Sequence, residues 1–412
     1  MTYRSISQNM TLVLTVLVMI TGVATLQSCK DKEGCTDPNA INYDSDAEED
    51  DGSCKYENSF ASDTLESNIE SAMTLSSNTY ICGRIQVNAG LTIEEGVTLS
   101  LCSGAEIRVN KGSYLQASGT SAKPITIQGE VDTKGFWKVI EINSNNPKNV
   151  LENVQLSNGG GDSFWNNAMV FVNNNNNAQL KVTNTTFSQS KGYGLYAQDG
   201  TELNNFSNNT FSNNGKEGLR ITADLIDFLD TETTYNNNND KPYILVNDNG
   251  SIEKNQTWRN TSSPYLIKGD VDVNAQVTVQ AGTNVRMGSG SEIHVNQGAA
   301  FNAEGTSSDK ITFKGKTETG GFWRVIEINS NNPENVFRNV EFHHGGSDDF
   351  WDHSTIYVND NNNGSLDMKN STIRQSGGWG MYVQSNANVT PSDSTSMVSQ
   401  NTFTNNGALN AA

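Results

Sequence analysis

The sequence predicts an all-β protein, a single-stranded parallel β-helix solenoid made of two tandem copies of one long unit. Three observations predict it: a long internal repeat, a shorter period of alternating apolar residues inside each copy, and a composition rich in turn formers. The repeat comes first. Residues 135–147, GFWKVIEINSNNP, recur as residues 321–333, GFWRVIEINSNNP. Position 135 answers to 321, an offset of 186 residues that holds without gaps from Gly83/Gly269 to Tyr196/Tyr382. At Phe211/Phe403 the offset has risen to 192, so the second copy carries a small insertion, and residues 216–263 complete the first copy only.

Within each copy a degenerate period of roughly twenty residues separates short alternating runs. Val87, Leu91, Ile93, Val97 and Leu99 are followed by Ile107 and Val109, then Leu115, Ile125 and Ile127. Gly and Asn punctuate them, as turns between stacked coils require. The segments VTNTTF at 182–187 and NNTFSNN at 208–214 read as Asn-rich coils. Asn tolerates the left-handed backbone of tight turns, so the Asn runs at 173–177, 236–239 and 361–363 are read as turns rather than ligand sets. Roughly fifteen coils at about 4.8 Å would give a rod of about 70 Å.

Composition narrows the class. Only 34% of the 412 residues are hydrophobic, too few for one broad globular core, yet the recurring Val, Ile, Leu, Phe and Trp exclude disorder. Lys and Arg number 27 against 46 Asp and Glu, a net charge of -19. Such a surface repels phosphate backbones, which excludes nucleic acid as a partner and favours cationic ligands or divalent metals.

The N-terminus reads as an address. An apolar run at 11–26, too short for a membrane span, ends in Leu26-Gln27-Ser28-Cys29. This resembles the lipobox of bacterial lipoproteins. The resemblance implies a signal peptide over 1–28, cleavage before Cys29, and acylation of Cys29 as the anchor to the cell outer membrane. Lys30-Asp31-Lys32-Glu33 resembles the export signal of Bacteroidota surface lipoproteins, which implies an outward-facing location. With Cys29 acylated, Cys35, Cys54, Cys82 and Cys102 remain, enough for two disulfides with three possible connectivities.

Residues 35–54 run CTDPNAINYD to DDGSC. They resemble a small module common in surface proteins of that phylum, with a cysteine at each end where a loop closure would place it, and this favours Cys35–Cys54. Asp37, Asn42, Asp44, Asp46, Asp50 and Asp51 crowd oxygen atoms into one loop, as Ca2+ requires; the alternative is a solvated acidic spacer. Cys82 and Cys102 lie one coil apart, within disulfide reach of each other, and Lys268 and Gly288 replace them in the second copy. Asp63-Thr64-Leu65 and Asp393-Ser394-Thr395 resemble a short O-glycosylation motif of the same phylum.

From Gly83 onward, the runs ASGT at 117–120, ITI at 125–127 and GFW at 135–137 resemble a large group of Bacteroidota surface proteins with right-handed parallel β-helix repeats. The resemblance implies fold and location, not chemistry. It divides the mature chain into the lipidated acidic module over 29–60, copy one with its connecting coils over 61–264, and copy two, continuous with it, over 265–412. Copy two lacks a counterpart of 216–263, so the C-terminal coil is open to an end-to-end protein partner or a blunt cap.

Three clusters recur in both copies and are the candidates for function. Lys138/Arg324 and Glu141/Glu327 share the strand of Trp137/Trp323. The loop GGGDSFW at 159–165 matches GGSDDFW at 345–351, bringing Asp162, Phe164 and Trp165 into correspondence with Asp348, Phe350 and Trp351. Tyr193 matches Trp379. A glycine-rich loop offering an acid and two aromatics suits sugar binding, because aromatic faces stack on sugar rings and carboxylates bind hydroxyls; alternatively the aromatics fold back over the coils. The favoured reading is a surface binding or adhesion module for a polysaccharide or a host-cell glycan. A polysaccharide lyase or glycosidase is the second reading, with His343, His344 and Asp348 as the weak catalytic candidates, and an inert spacer is the third. His294, the fourth histidine His353 and this pair all fall in copy two.

Overall fold

The computed structural model describes residues 32–38, 40, 42–54, 64–247, 250–347 and 353–408. The chain falls into two compact units, Met1–Asn58 and Ser59–Ala412. Cys29 and the signal-peptide segment lie outside the described residues.

In the first unit two short parallel strands, Glu33–Gly34 and Glu49–Asp50, are tied by the Cys35–Cys54 disulfide. So small a piece buries little, and the staple supplies what a core cannot. Its acidic side chains hold the turns: Asp50 accepts from the Gly52 amide at 3.1 Å and Asp51 from the Ser53 amide at 2.8 Å. Lys32 bridges Asp44 at 2.7 Å and Asp46 at 3.8 Å, and Asn42 donates to the Ser53 carbonyl at 2.7 Å.

The second unit is a right-handed parallel β-helix in which every strand pair is parallel. Each coil visits three faces. The first face is one unbroken sheet of thirteen strands, from Arg84–Val87 to Thr402–Thr404. The second and third faces are each built in two sections, the later one beginning in the connecting coils of copy one. Five strands ending at Lys181–Thr183 are succeeded on the second face by six beginning at Gly250–Ile252. Eight strands ending at Thr234–Asn236 are succeeded on the third by six beginning at Gln256–Trp258. Thirteen strands at about 4.8 Å make a rod of about 60 Å, shorter than the sequence period suggests. The reason is coil length: Ile107 pairs with Ile140 and Ile140 with Val170, so coils with long corner loops run well past twenty residues.

The core is a narrow column of stacked like residues. Phe187, Phe211 and Tyr235 stack at 4.7 and 5.3 Å with nearly parallel rings. Trp137 and Trp323 are fully buried at matched positions, each donating its indole N–H to a carbonyl at 2.7 Å, of Ser157 and His343 respectively. Asparagines do hold the corners. Asn153, Asn184 and Asn208 have left-handed backbones, as do Asn339 and Asn370 at the copy-two positions of the first two. Inside, Asn214 donates to the Phe187 carbonyl and to Asn238, satisfying backbone groups the corner would otherwise strand.

Cys82 and Cys102 follow the paired residues Ile81 and Leu101 on adjacent coils and form a disulfide, with Cα atoms 4.9 Å apart. At the other end the helix Ser394–Gln400 is capped by Asp393 and inserts Met397 into the core before the last strand. Asp393 of the second glycosylation-like triplet is thus a helix cap; Asp63 of the first lies outside the described residues.

The two copies are not in phase. Seven coils separate Arg84–Val87 from Tyr265–Lys268 on the first face, but the copy-two partner of Arg84–Val87 is Asp270–Val273, one face further on. One sequence unit therefore spans seven coils and a third. Where the two copies match, strands on the first face in copy one lie on the second face in copy two.

Candidate functional site

The alternation that buries Ile107, Ile140, Val170 and Leu195 turns their neighbours outward. Cross-strand register then lines up Arg108, Glu141, Phe171, Tyr196 and Arg220 on the outer surface of the first face. In copy two the same positions align His294, Glu327, Tyr357 and Tyr382 on the second face. Glu141 and Glu327 of the duplicated clusters are rungs of this ladder, which the two copies display once each.

In copy one the glycine-rich loop folds over the ladder. Asp162 caps the 3-10 turn Ser163–Trp165, accepting from the Phe164 amide at 2.9 Å, and lies 3.8 Å from the Lys138 ammonium. The left-handed Asn166 closes the turn, with one aromatic buried and the other exposed. Trp165, 4% exposed, packs with Val139, Ala168 and Phe171 beneath the Arg108 guanidinium, 4.7 Å from its ring centre. Phe164, 80% exposed, stands edge-on to it at 4.8 Å. Trp165 is a cap over the coils; Phe164 is on display. Three glycines permit the fold-back, and at Gly161 a Cβ would meet the Gly135 carbonyl at 2.3 Å.

Beside the turn, Tyr193 and Tyr196 are largely buried and covered by cations. Lys216 lies 4.8 Å over Tyr193, and Arg220 lies 4.2 Å over Tyr196. Burial, with Arg220 and Lys241 nearby, pushes the Lys216 ammonium below its usual range. Glu217 offsets part of that shift, and elsewhere in the patch Arg108 lies 3.5 Å from Glu106 and 3.6 Å from Glu141. Sequence reasoning singled out Asp162, Phe164, Trp165 and Tyr193 but not Phe171, Arg108 and Arg220. The first two of these were legible only through cross-strand register, and Arg220 lies beyond the stretch over which the two copies match.

In copy two Tyr357 and Tyr382 stack at 5.7 Å, with Trp379 half-buried at 6.5 Å from Tyr382. Asp348, Phe350 and Trp351 lie outside the described residues. The charge pattern is retained with a substitution: His294 takes the place of Arg108, held between Glu292 at 3.2 Å and Glu327 at 2.8 Å. Burial disfavours the imidazolium, but the two carboxylates outweigh it and hold His294 up at about 10. Glu327 also accepts from Asn359 at 2.6 Å, as Glu141 does from Asn173 at 2.7 Å.

The other histidines stand elsewhere. His343 is on the first face, 2% exposed, between Lys314 and Arg374, and burial with the Arg374 charge pushes it down to about 4. His344, 1% exposed, occupies a left-handed corner and bonds Gln375 at 3.1 Å; His353 is exposed at another corner. Both members of the pair are enclosed by protein, and Asp348 is not described. Among the described residues, no three His, Cys, Asp or Glu side chains gather in a geometry that could hold a metal ion, the acidic module included.

A family model described as right handed beta helix region matches residues 168–342. No curated protein and no solved structure matches the chain.

Proposed function

We propose that this chain is a non-catalytic surface module that binds acidic glycans, anchored to the outer membrane through a lipid on Cys29. The observation that carries the reading is the copy-one patch, where the exposed ring of Phe164 stands against Trp165 under Arg108, with Lys138 beside Asp162, Lys216 over Tyr193 and Arg220 over Tyr196. An aromatic face offers stacking to a sugar ring, and guanidinium and ammonium groups offer charge-assisted bonds to uronate carboxylates or sulfates. The buried aromatics beneath support the cations and fix their positions. Sequence 26–29 supports the anchor, and the short charged stretch after it supports outward display.

The test is equilibrium binding of the purified mature chain to a panel of neutral and acidic polysaccharides, with released reducing and unsaturated ends recorded alongside. Saturable binding of the acidic members, falling about tenfold in Phe164→Ala, is expected, a loss of about 1.4 kcal/mol. Equal binding by wild type and Phe164→Ala would remove the site, and cleavage products would replace the binding reading with the lyase or glycosidase reading.

A further inference from the structure

Because the copies are out of phase by a third of a coil, third-face strands of copy one reappear on the first face in copy two, in line with the aromatic patch. In copy one their outward column carries Ser100, Gln128, Ser157 and Ser188, uncharged throughout. In copy two the same four positions are Arg286, Lys314, His343 and Arg374, opposite one another on consecutive coils. Beside them Lys316 stands where copy one has Glu130.

Folding does not call for this exchange. Like charges directly opposite on neighbouring strands repel, so a cationic column costs stability that the serines of copy one do not. The cations are also scarce, on a chain whose net charge is -19. Neighbouring acids answer only part of the column: Lys314 pairs with Glu318, and Glu341 lies 2.9 Å from Lys310 and 3.5 Å from His343. Among the described residues Arg286 and Arg374 are in no ion pair, and Arg374 is exposed. His343 is the neutral rung, since burial and the Arg374 charge hold it down to about 4. It accepts the Arg374 Nε–H at 3.2 Å and so orients the guanidinium.

The column is continuous with the patch. Arg220 is followed outward by Leu245 and Leu266 and then by Arg286. The two leucines are buried and pack with Tyr243, and the Lys316 ammonium lies 5.7 Å over the Tyr243 ring. Arg108 is on the second strand of the thirteen and Arg286 on the ninth, about 34 Å further along the axis.

We propose that this basic ladder extends the acidic-glycan site, so that one linear polyanionic glycan lies along the first face, a ring at Phe164 and its further acid groups on Arg286, Lys314 and Arg374. The inference rests on the glycan reading of the copy-one patch and adds to it the direction and the minimum length of the ligand. A chain held at the patch meets the ladder at high effective concentration once it can reach it. The ladder has no aromatic ring in its own column, so a short oligosaccharide gains no stacking there.

Size-graded heparin and alginate oligosaccharides, titrated into the mature chain, test this. Chains long enough to span about 34 Å should bind about tenfold more tightly than short ones. Arg286→Gln with Arg374→Gln should abolish that gain, leave short-chain binding as in wild type, and not lower the temperature of unfolding. Lys123→Gln with Lys369→Gln, which removes two cations from outside the first face, should keep the gain. Affinity independent of length, a gain that survives the arginine pair, or a gain lost equally in the lysine pair would overturn the extension. Each of these leaves the patch itself standing if Phe164→Ala still weakens short-chain binding. Short-chain binding indifferent to Phe164→Ala would instead overturn the patch reading, and absence of binding in both series would overturn the two together.

Discussion

His294 and His343 lie in the same copy under opposite electrostatics, and stability should record both. His294 is raised to about 10 in the fold against 6.5 unfolded, so its contribution is complete below about 6.5 and is lost as pH rises toward 10. His343 is lowered to about 4, so its contribution is present above about 6.5 and is lost as pH falls through 4. Chemical unfolding across pH should show His294→Gln removing the alkaline slope and His343→Asn reducing the acid one. Variants that keep both slopes would contradict the assignment. The adjacent aromatics divide as sharply. Trp165→Ala should cost about 3 kcal/mol of stability. Phe164→Ala, at an exposed site, should stay within about 0.5 kcal/mol. The sequence identified both rings as candidates but could not separate them. Which of two neighbours is buried depends on the 3-10 turn and on the left-handed Asn166, and both residues occur in a run that many turns could accommodate.

The disulfide Cys82–Cys102 staples the first coils, where an open sheet edge is most exposed to pairing with other chains. Removing it as Cys82→Ser with Cys102→Ser should cost about 3 kcal/mol, the chain-entropy value for a loop of this size. In a solenoid each coil contacts only its neighbours, so amide exchange should accelerate in the coils below 110 and remain unchanged beyond 200. Uniform acceleration would mean the rod unfolds as one unit. Strands and corners were legible because period-two alternation and Asn-Gly turns are local signals. The 3-10 helix Ala223–Phe228 was not: its apolar residues Leu225 and Ile226 fit a strand equally well, and the departure is set by the coils around it. Met397 enters the core on a helix whose cap, Asp393, lies inside a motif read for glycosylation.

One sequence unit spans seven coils and a third, so the two patches sit on adjacent faces about 35 Å apart along the axis. A single straight glycan segment cannot run over both, and the two should titrate independently. In copy two Arg324 is paired with Glu292 at 3.1 Å and His294 is held between two carboxylates, so its site should be the weaker for an acidic ligand. The repeat itself was plain in the sequence, whereas the rotation was invisible, because coil length varies with the corner loops and residue count does not reveal turn count.

The most direct measurement is a titration of the mature chain with a uronate oligosaccharide too short to bridge 35 Å, with product release followed in the same samples. Two unequal saturable sites are expected, the tighter one lost in Phe164→Ala and the weaker one lost in Tyr382→Ala, and no new chain ends. Absence of binding, or a single site indifferent to both substitutions, would contradict the account.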